Sequence, residues 1–342
     1  MTDRTAYGGQ AVIEGVMIRG KEHVATAVRL NDGSIIVRHD MVDGWSTGKS
    51  WLRLAFVRGL PALVDSLRLG YRTLMWSADQ VMEAEEQQKI TPITYVLTIL
   101  GAFVFAIGLF VLFPAWIFNF LFPIHQPHLL LHKAAHGGAA HFFAQFIPTL
   151  PTFLRCLGEG LLRVIMLVVY ILVIGRHQEI RRVFSYHGAE HKVVNAYEAG
   201  AELNVDACRP SSCIHPRCGT SFLFLVFVVG ILVHALIGWP RGWVLLVSRL
   251  VLLPLVVGVS YELIRLSGRY RHSRLLRALV WPGLLLQRLT TAEPSDDQIE
   301  VAIASLSAVL TDEGVLEPES TGIADISAGG RRLVQSGHAR AL

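Results

Sequence analysis

Residues 222–239 have the sequence FLFLVFVVGILVHALIGW, in which His234 is the only side chain that can carry a charge. The hydrocarbon core of a bilayer is about 30 Å thick, and a helix of about 20 apolar residues crosses it. This segment therefore predicts a transmembrane helix.

Three other segments have the same character, namely residues 93–122, 153–175 and 243–266. The chain of 342 residues is 52% hydrophobic and only 17% charged, and its mean hydropathy is +0.45. Soluble proteins contain about 25% charged residues, so lipid must cover part of this surface. We therefore predict a mainly α-helical integral membrane protein with about four transmembrane helices and a small N-terminal cytoplasmic β unit.

The distribution of basic residues predicts the orientation of these helices, because cytoplasmic loops are enriched in Lys and Arg. On one side of the membrane, the first loop contains Lys133 and the second contains Arg241. Both termini and the central loop are therefore predicted to lie on the other side, in the cytoplasm. That side carries Arg176, Arg181, Arg182, Lys192, Arg209, Arg217, Arg269, Arg271, Arg274 and Arg277.

The polar segments are predicted to form separate units. Within the β unit, the strand-like runs 23–30 and 34–42 flank Asn31-Asp32-Gly33, which is a common hairpin turn signal. The predicted order along the chain is the β unit (1–50), an amphipathic juxtamembrane helix (51–89), the membrane domain (90–266) with its cytoplasmic loop 176–220, cytoplasmic amphipathic helices (267–311) and a disordered tail (312–342).

The loop between the second and third predicted spans contains the strongest chemical signal, YHGAEHK at residues 186–192. On a helix, His187 and His191 lie one turn apart on the same face, so both imidazoles can bind one metal ion. Glu190 lies beside them, where it can accept a proton from a water that the metal acidifies. The order H-x-x-E-H is that of the inverzincin peptidases.

A second cluster in the same loop, HPRC at residues 215–218, adds His215 and Cys218 as zinc-type ligands. Together with the two histidines of the first cluster, they would form a closed tetrahedral site, which is typical of a structural metal. Two histidines with a carboxylate and an open position would be typical of catalysis, and Glu262 is a candidate for that carboxylate. The alternative without a metal is that these histidines are interfacial residues that cap helix ends.

Five longer strings extend these clusters: GGQAVIEGVMIRG (8–20), FSYHGAEHK (184–192), HPRCGTSFL (215–223), YELIRL (261–266) and PGLLLQRLTT (282–291). In these strings the chain resembles a bacterial family of multi-spanning membrane proteins of unknown function, commonly catalogued as a predicted metal-dependent enzyme. The resemblance implies a location in the bacterial cytoplasmic membrane. If the N-terminal strand folds onto the central loop, Glu14 would reach the metal as a second catalytic carboxylate. The site residues that the resemblance implies are Glu14, His187, Glu190, His191, His215 and Cys218.

The leading functional hypothesis is a membrane-embedded protein that binds a divalent metal, with zinc favoured, at a cytoplasm-facing site and acts as a metal-dependent hydrolase. The alternative is a non-catalytic membrane scaffold or assembly factor, with a structural metal and a partner membrane protein. A transporter is a third hypothesis, indicated only by polar residues in the spans. Of these, Glu159 and Arg163 lie one turn apart and are predicted to pair within the bundle.

The predicted partners are the lipid bilayer and, for the scaffold hypothesis, another membrane protein. Nucleic acid is not expected, because no Lys/Arg patch with interleaved aromatic residues is present. A nucleotide is not expected either, because GGQAVIEG lacks the Lys-Ser/Thr ending of a phosphate-binding loop. Cys208 and Cys213 are predicted to be free thiols.

Overall fold

The predicted fold class is confirmed at the level of its elements. The chain is mainly helical, with four helices long and apolar enough to cross a membrane and a four-stranded antiparallel sheet near the N-terminus. The computed structural model describes residues 7–42, 52, 54–82, 92–122, 150–237, 243–269, 273–317, 324–327 and 330–331. Predictions for the remaining residues, including the loop after the first span, lie outside this described part.

Some helices belong to the membrane domain, and others belong to the polar units. In chain order they are α1 (Gly59–Val81), α2 (Pro92–Ile107), α3 (Phe113–Leu121), α4 (Leu150–Ile174), α5 (Gln178–Ala199), α6 (Val205–Cys208), α7 (Gly219–Ile237), α8 (Trp243–Arg269), α9 (Arg274–Thr290) and α10 (Asp296–Asp312). The four segments that could cross a membrane are Leu100–Phe118, Leu150–Ile174, Gly219–Ile237 and Val247–Ser267.

The first of these segments continues past Pro114, although proline lacks the N–H that an α-helix requires. A π-helical turn at Gly108–Leu112 joins α2 to α3 and places Pro114 in the first turn of α3. A π-helical turn changes the hydrogen-bond register, and the first turn of a helix is where proline is tolerated. The helical path therefore continues through Pro114.

The N-terminal strands are β1 (Gly8–Val12), β2 (Gly15–Arg19), β3 (His23–Arg29) and β4 (Ile35–Met41), and they pair in this order. The predicted hairpin joins β3 to β4. Gly33 has a φ of +84°, a left-handed conformation that glycine adopts easily. The Asp32 carboxylate accepts a hydrogen bond of 2.9 Å from the Ser34 N–H and closes the turn.

For the C-terminal tail, composition predicts disorder, and the structure describes only residues 312–317, 324–327 and 330–331. These described residues include two short strands, β5 (Ala324–Ser327) and β6 (Gly330–Arg331), and β5 runs parallel to β4. Pairing with β5 covers a strand edge that would otherwise be open, which supplies a physical reason for order in this part of the tail.

The sheet lies between two helical layers, because its two faces carry different sets of apolar residues. One face packs against Leu69 and Trp76 of α1, and the other packs against α5 and α10. The first set is Val12, Met17, Val24, Val28 and Ile36, and the second is Val16, Ile18, Ala25, Ala27 and Val37. The alternation is that of consecutive strand positions. The sheet therefore brings the N-terminal residues against α5, which carries the histidine motif.

Candidate metal centre

α5 carries His187 and His191 one turn apart, with ring centroids separated by 4.4 Å. Backbone carbonyl groups hold both rings. The His187 Nδ1 lies 2.9 Å from the Thr290 carbonyl oxygen, and the His191 Nδ1 lies 2.6 Å from the Cys213 carbonyl oxygen. Because a carbonyl oxygen only accepts hydrogen bonds, each Nδ1 carries a proton, and Nε2 is the nitrogen of each ring that can bind a metal.

Cys218 lies at the start of α7 and joins the two histidines. Its Sγ is 3.2 Å from the His187 Nε2, and the ligand atoms of His187, His191 and Cys218 all lie within 4.8 Å of one another. Tetrahedral zinc bonds of about 2.0–2.3 Å hold nitrogen and sulfur ligands about 3.3–3.6 Å apart, so the three side chains would close slightly around an ion. Two imidazoles and a thiol are a typical zinc donor set. These three residues therefore fit a zinc ion by chemistry and lie close to the spacing that it requires.

Glu190 lies beside this three-donor group and outside it. One carboxylate oxygen, Oε2, lies 3.3 Å from the His191 Nε2, while the other accepts a hydrogen bond of 2.9 Å from the Gly9 N–H of β1. The residue is only 2% exposed. A carboxylate in this position has one oxygen fixed by the sheet and one oxygen facing the histidines, as a proton acceptor requires.

His215 packs next to the site, with its ring centroid 5.7 Å from that of His191, and it is not part of the three-donor group. Its Nε2 lies 3.8 Å from the Glu198 carboxylate. The buried Gln287 side chain holds the backbone of His215 on both sides, with hydrogen bonds of 2.9 Å to the N–H and 2.8 Å to the carbonyl. His215 is therefore a neighbour that the fold fixes through its backbone.

The loop that follows α5 is held by the polar face of that helix. Lys192 donates a hydrogen bond of 2.5 Å to the Arg209 carbonyl, and Asn195 donates one of 2.8 Å to the Ser212 carbonyl. Irregular backbone inside a protein needs such partners. Lys192 and Asn195 therefore anchor the loop.

Glu14 lies at the turn between β1 and β2, where it adopts a φ of +51°. The structure pairs its carboxylate with the Arg182 guanidinium, and the Tyr186 hydroxyl donates a hydrogen bond of 3.2 Å to it. The hydrogen bonds with Glu14 raise the pKa of Arg182. Burial, followed by the charge of Glu14, raises the pKa of Tyr186. Glu14 thus contacts α5 just before His187 and is not brought into the three-donor group.

Glu262 does not complete the group either, and the reason is a competing partner. Its carboxylate receives hydrogen bonds of 2.7 and 2.5 Å from the Arg58 guanidinium, immediately before α1. A bidentate guanidinium pair occupies both carboxylate oxygens. The sequence-based role of Glu262 as a ligand is therefore corrected to that of an ion pair between α8 and the segment before α1.

The two other cysteines of the loop are free thiols, as predicted. Cys213 has its pKa raised to about 11 by burial and by the nearby Glu293 carboxylate. Its Sγ lies 3.5 Å from that carboxylate. Cys213 therefore remains protonated at neutral pH, and it contributes to the site through its backbone carbonyl.

Comparisons with known proteins show the family of this chain. Residues 54–312 match the family described as "Protein of unknown function (DUF1385)". The chain belongs to this family. It is also 34% identical over 331 residues to "Uncharacterized protein YqhQ" of Bacillus subtilis (strain 168), covering 91% of this chain and 94% of that protein. No solved structure matches it.

The family match covers Glu190 and all three residues of the candidate donor group, whereas Gly9 and Glu14 precede it. Sequence reasoning missed Thr290 and Gln287, although both lie in the string PGLLLQRLTT. A polar residue among leucines was the available signal for Gln287, which is completely buried. Thr290 acts through its carbonyl group, which no residue type would reveal.

Proposed function

We propose that this protein is a membrane-embedded metalloprotein whose site faces the cytoplasm and binds one divalent metal, with zinc as the best fit. We further propose that it is a metal-dependent hydrolase. His187, His191 and Cys218 are the metal ligands in this proposal, and Glu190 is the general base. The observation that carries it is the spacing of the three ligand atoms, all within 4.8 Å of one another.

The number of donors supports catalysis over a purely structural metal. A structural zinc site has four protein ligands, whereas a catalytic site has three and leaves one position for water or substrate. A zinc ion held there would polarise a substrate oxygen as a Lewis acid and make water more acidic. Glu190 would accept the proton on Oε2, the oxygen that faces His191, because Oε1 is engaged by the Gly9 N–H.

The proposed orientation places both termini and the metal centre in the cytoplasm. It rests on the excess of Arg and Lys around α5, α9 and the ends of the candidate spans nearest the metal centre. Membership of a family represented in Bacillus supports a bacterial cytoplasmic membrane as the location.

The test is the metal content of detergent-purified protein, measured by mass spectrometry without chelators. We expect about one zinc per chain in the wild type and its loss in the double variant His187→Ala/His191→Ala. The matched control is His177→Ala, because His177 is exposed at the start of the same helix. A wild type without metal, or a double variant that keeps it, would overturn the proposal.

A scaffold with a structural metal is the second candidate, and one contact favours it. The Gly9 N–H of β1 bonds to Glu190, which adjoins His191, so a metal that fixed His191 would also stabilise the contact between α5 and the sheet. In that case, chelation would reduce the stability of the protein, and no hydrolysis would depend on Glu190.

A further inference from the structure

A second buried polar cluster lies at the ends of the helices remote from the metal centre. It consists of Glu159 and Arg163 on α4 and Arg249 on α8, and is called the distal cluster below. Arg163 pairs with one oxygen of the Glu159 carboxylate, and the Arg249 Nη2 lies 3.4 Å from the other. The side chain of Glu159 is only 1% exposed, and those of Arg163 and Arg249 are 12% and 14% exposed.

The sequence provides no second carboxylate for this cluster. Residues 92–165 and 222–261 contain α2–α3, α7, most of α8 and the loops at that end, and Glu159 is their only acidic residue. The same segments contain five basic residues: Lys133, Arg155, Arg163, Arg241 and Arg249. This count covers every residue of both segments, so two guanidinium groups share a single negative charge.

An excess buried cation is costly inside a membrane unless an anion compensates it. A guanidinium has five N–H groups and can bond to several acceptors at once. The Nε of Arg163 is buried and makes no hydrogen bond within the described part of the chain. Arginine forks match the oxygens of a phosphate group in geometry and charge.

We propose that Arg163 and Arg249 form a binding site for a phosphate group at the end of the membrane domain opposite the metal centre. Glu159 holds the two guanidinium groups together and competes with the phosphate for them. The phosphate comes from a phospholipid headgroup or from free phosphate, which offer the same oxygens. The site does not depend on the bound metal, so this proposal and the metalloprotein proposal can fail separately.

The test has two arms that distinguish the sources. In the first, washed protein is extracted and its phospholipid is counted per chain. In the second, delipidated protein is melted with millimolar inorganic phosphate or with chloride at the same ionic strength. We expect retained phospholipid if the headgroup binds, and a rise in Tm of about 3 °C with phosphate if free phosphate binds. Either result in the wild type supports the site.

Three variants make the result specific. Arg249→Gln should lose the retained phospholipid or the phosphate shift, while Arg209→Gln, which alters an exposed pair with Asp296, should keep it. Glu159→Gln removes the competing carboxylate and should give a larger shift or more phospholipid than the wild type. A closed structural ion-pair network predicts that Glu159→Gln is destabilised and phosphate does not compensate. That result, or equal binding by Arg249→Gln, would overturn the proposal.

Discussion

The candidate metal centre and the distal cluster are both largely buried and polar, but their polar groups are stabilised in different ways. At the candidate metal centre, backbone carbonyl groups orient two imidazole rings, which carry no permanent charge. In the distal cluster the guanidinium charges are permanent, and one carboxylate is shared between them. The two centres therefore suit ligands of opposite charge: imidazole and thiol donors suit a cation, and guanidinium groups suit an anion.

Removal of the metal should cause the largest decrease in Tm. It should also show whether the two centres contribute to stability independently. A ligand present at 1,000 times its Kd stabilises the folded state by about 4 kcal/mol. Chelation should therefore lower the Tm of the wild type by several degrees, as measured by thermal unfolding in detergent. Arg249→Gln should show the same decrease, because distant sites contribute independently. A decrease that disappears in Arg249→Gln would mean that the two centres are coupled.

Gly188→Ala should come next, because it disrupts only the metal centre. A Cβ at Gly188 would overlap the Ala292 carbonyl oxygen, which lies on the segment that follows Thr290. Such overpacking costs about 1–3 kcal/mol. The expected result is a lower Tm and less bound metal, while phosphate or phospholipid binding is retained.

The control for this variant is Gly219→Ala, next to Cys218, where a Cβ would have no neighbour within 4 Å. It should keep both the Tm and the metal. If both variants lose metal equally, the close approach at Ala292 is not the cause.

Glu190→Gln should weaken metal binding only moderately, and it tests whether the Glu190 carboxylate is a ligand or a base. The three ligands remain, so metal binding should weaken by about tenfold, the lower end of the range for residues that support ligands. Metal titration by competition with a fluorescent chelator measures this change. A variant without any metal at saturating zinc would make Glu190 a ligand, and the proposed base would then be lost.

Acid pH should cause the smallest decrease in Tm, and this decrease should depend on a carboxylate outside both centres. Glu313 accepts hydrogen bonds from the Glu22 N–H and the Tyr7 hydroxyl, both at 3.0 Å. Burial pushes its pKa upward, but these hydrogen bonds, together with those from the backbone of Lys21 and His23, bring the pKa below its ordinary value of 4.5. Its stabilisation is therefore present above pH 4.5 and lost as the pH falls through the lowered pKa.

Glu313→Gln should therefore flatten the decrease of Tm between pH 5 and more acidic values, relative to the wild type. The variant should leave metal content and phosphate binding at neutral pH unchanged. An unchanged Tm profile in the variant would show that this contact contributes nothing to the acid sensitivity.

The features that could be predicted from the sequence are those that depend on residues close together along the chain. The four apolar segments, the hairpin at Gly33 and the shared face of His187 and His191 each depend on neighbours within about one turn or strand. Cys218 was also accessible, because it follows the histidines within one loop. For each of these, residue type and spacing carry the information.

The features that could not be predicted depend on partners far apart in sequence. Glu14 looked like a site carboxylate, but Arg182 pairs with it from 168 residues away. Glu262 was a candidate ligand until Arg58, 204 residues away, was seen to pair with it. Thr290 contributes only a carbonyl oxygen, which every residue has. Tertiary packing therefore decides which carboxylates are free to act and which backbone groups support the site.

The sandwich around the N-terminal sheet has a consequence for biosynthesis. α10 covers the face of the sheet that carries Ala25, and Ser305 donates a hydrogen bond of 3.0 Å to the Ala25 carbonyl across 280 residues. The strands emerge from the ribosome first, but one of their covering layers emerges after the last candidate span. Such long-range contacts form slowly, and the apolar face of the sheet stays exposed until they form. During translation, the face of the sheet that carries Ala25 therefore stays partly uncovered until the four candidate spans and α10 have been made.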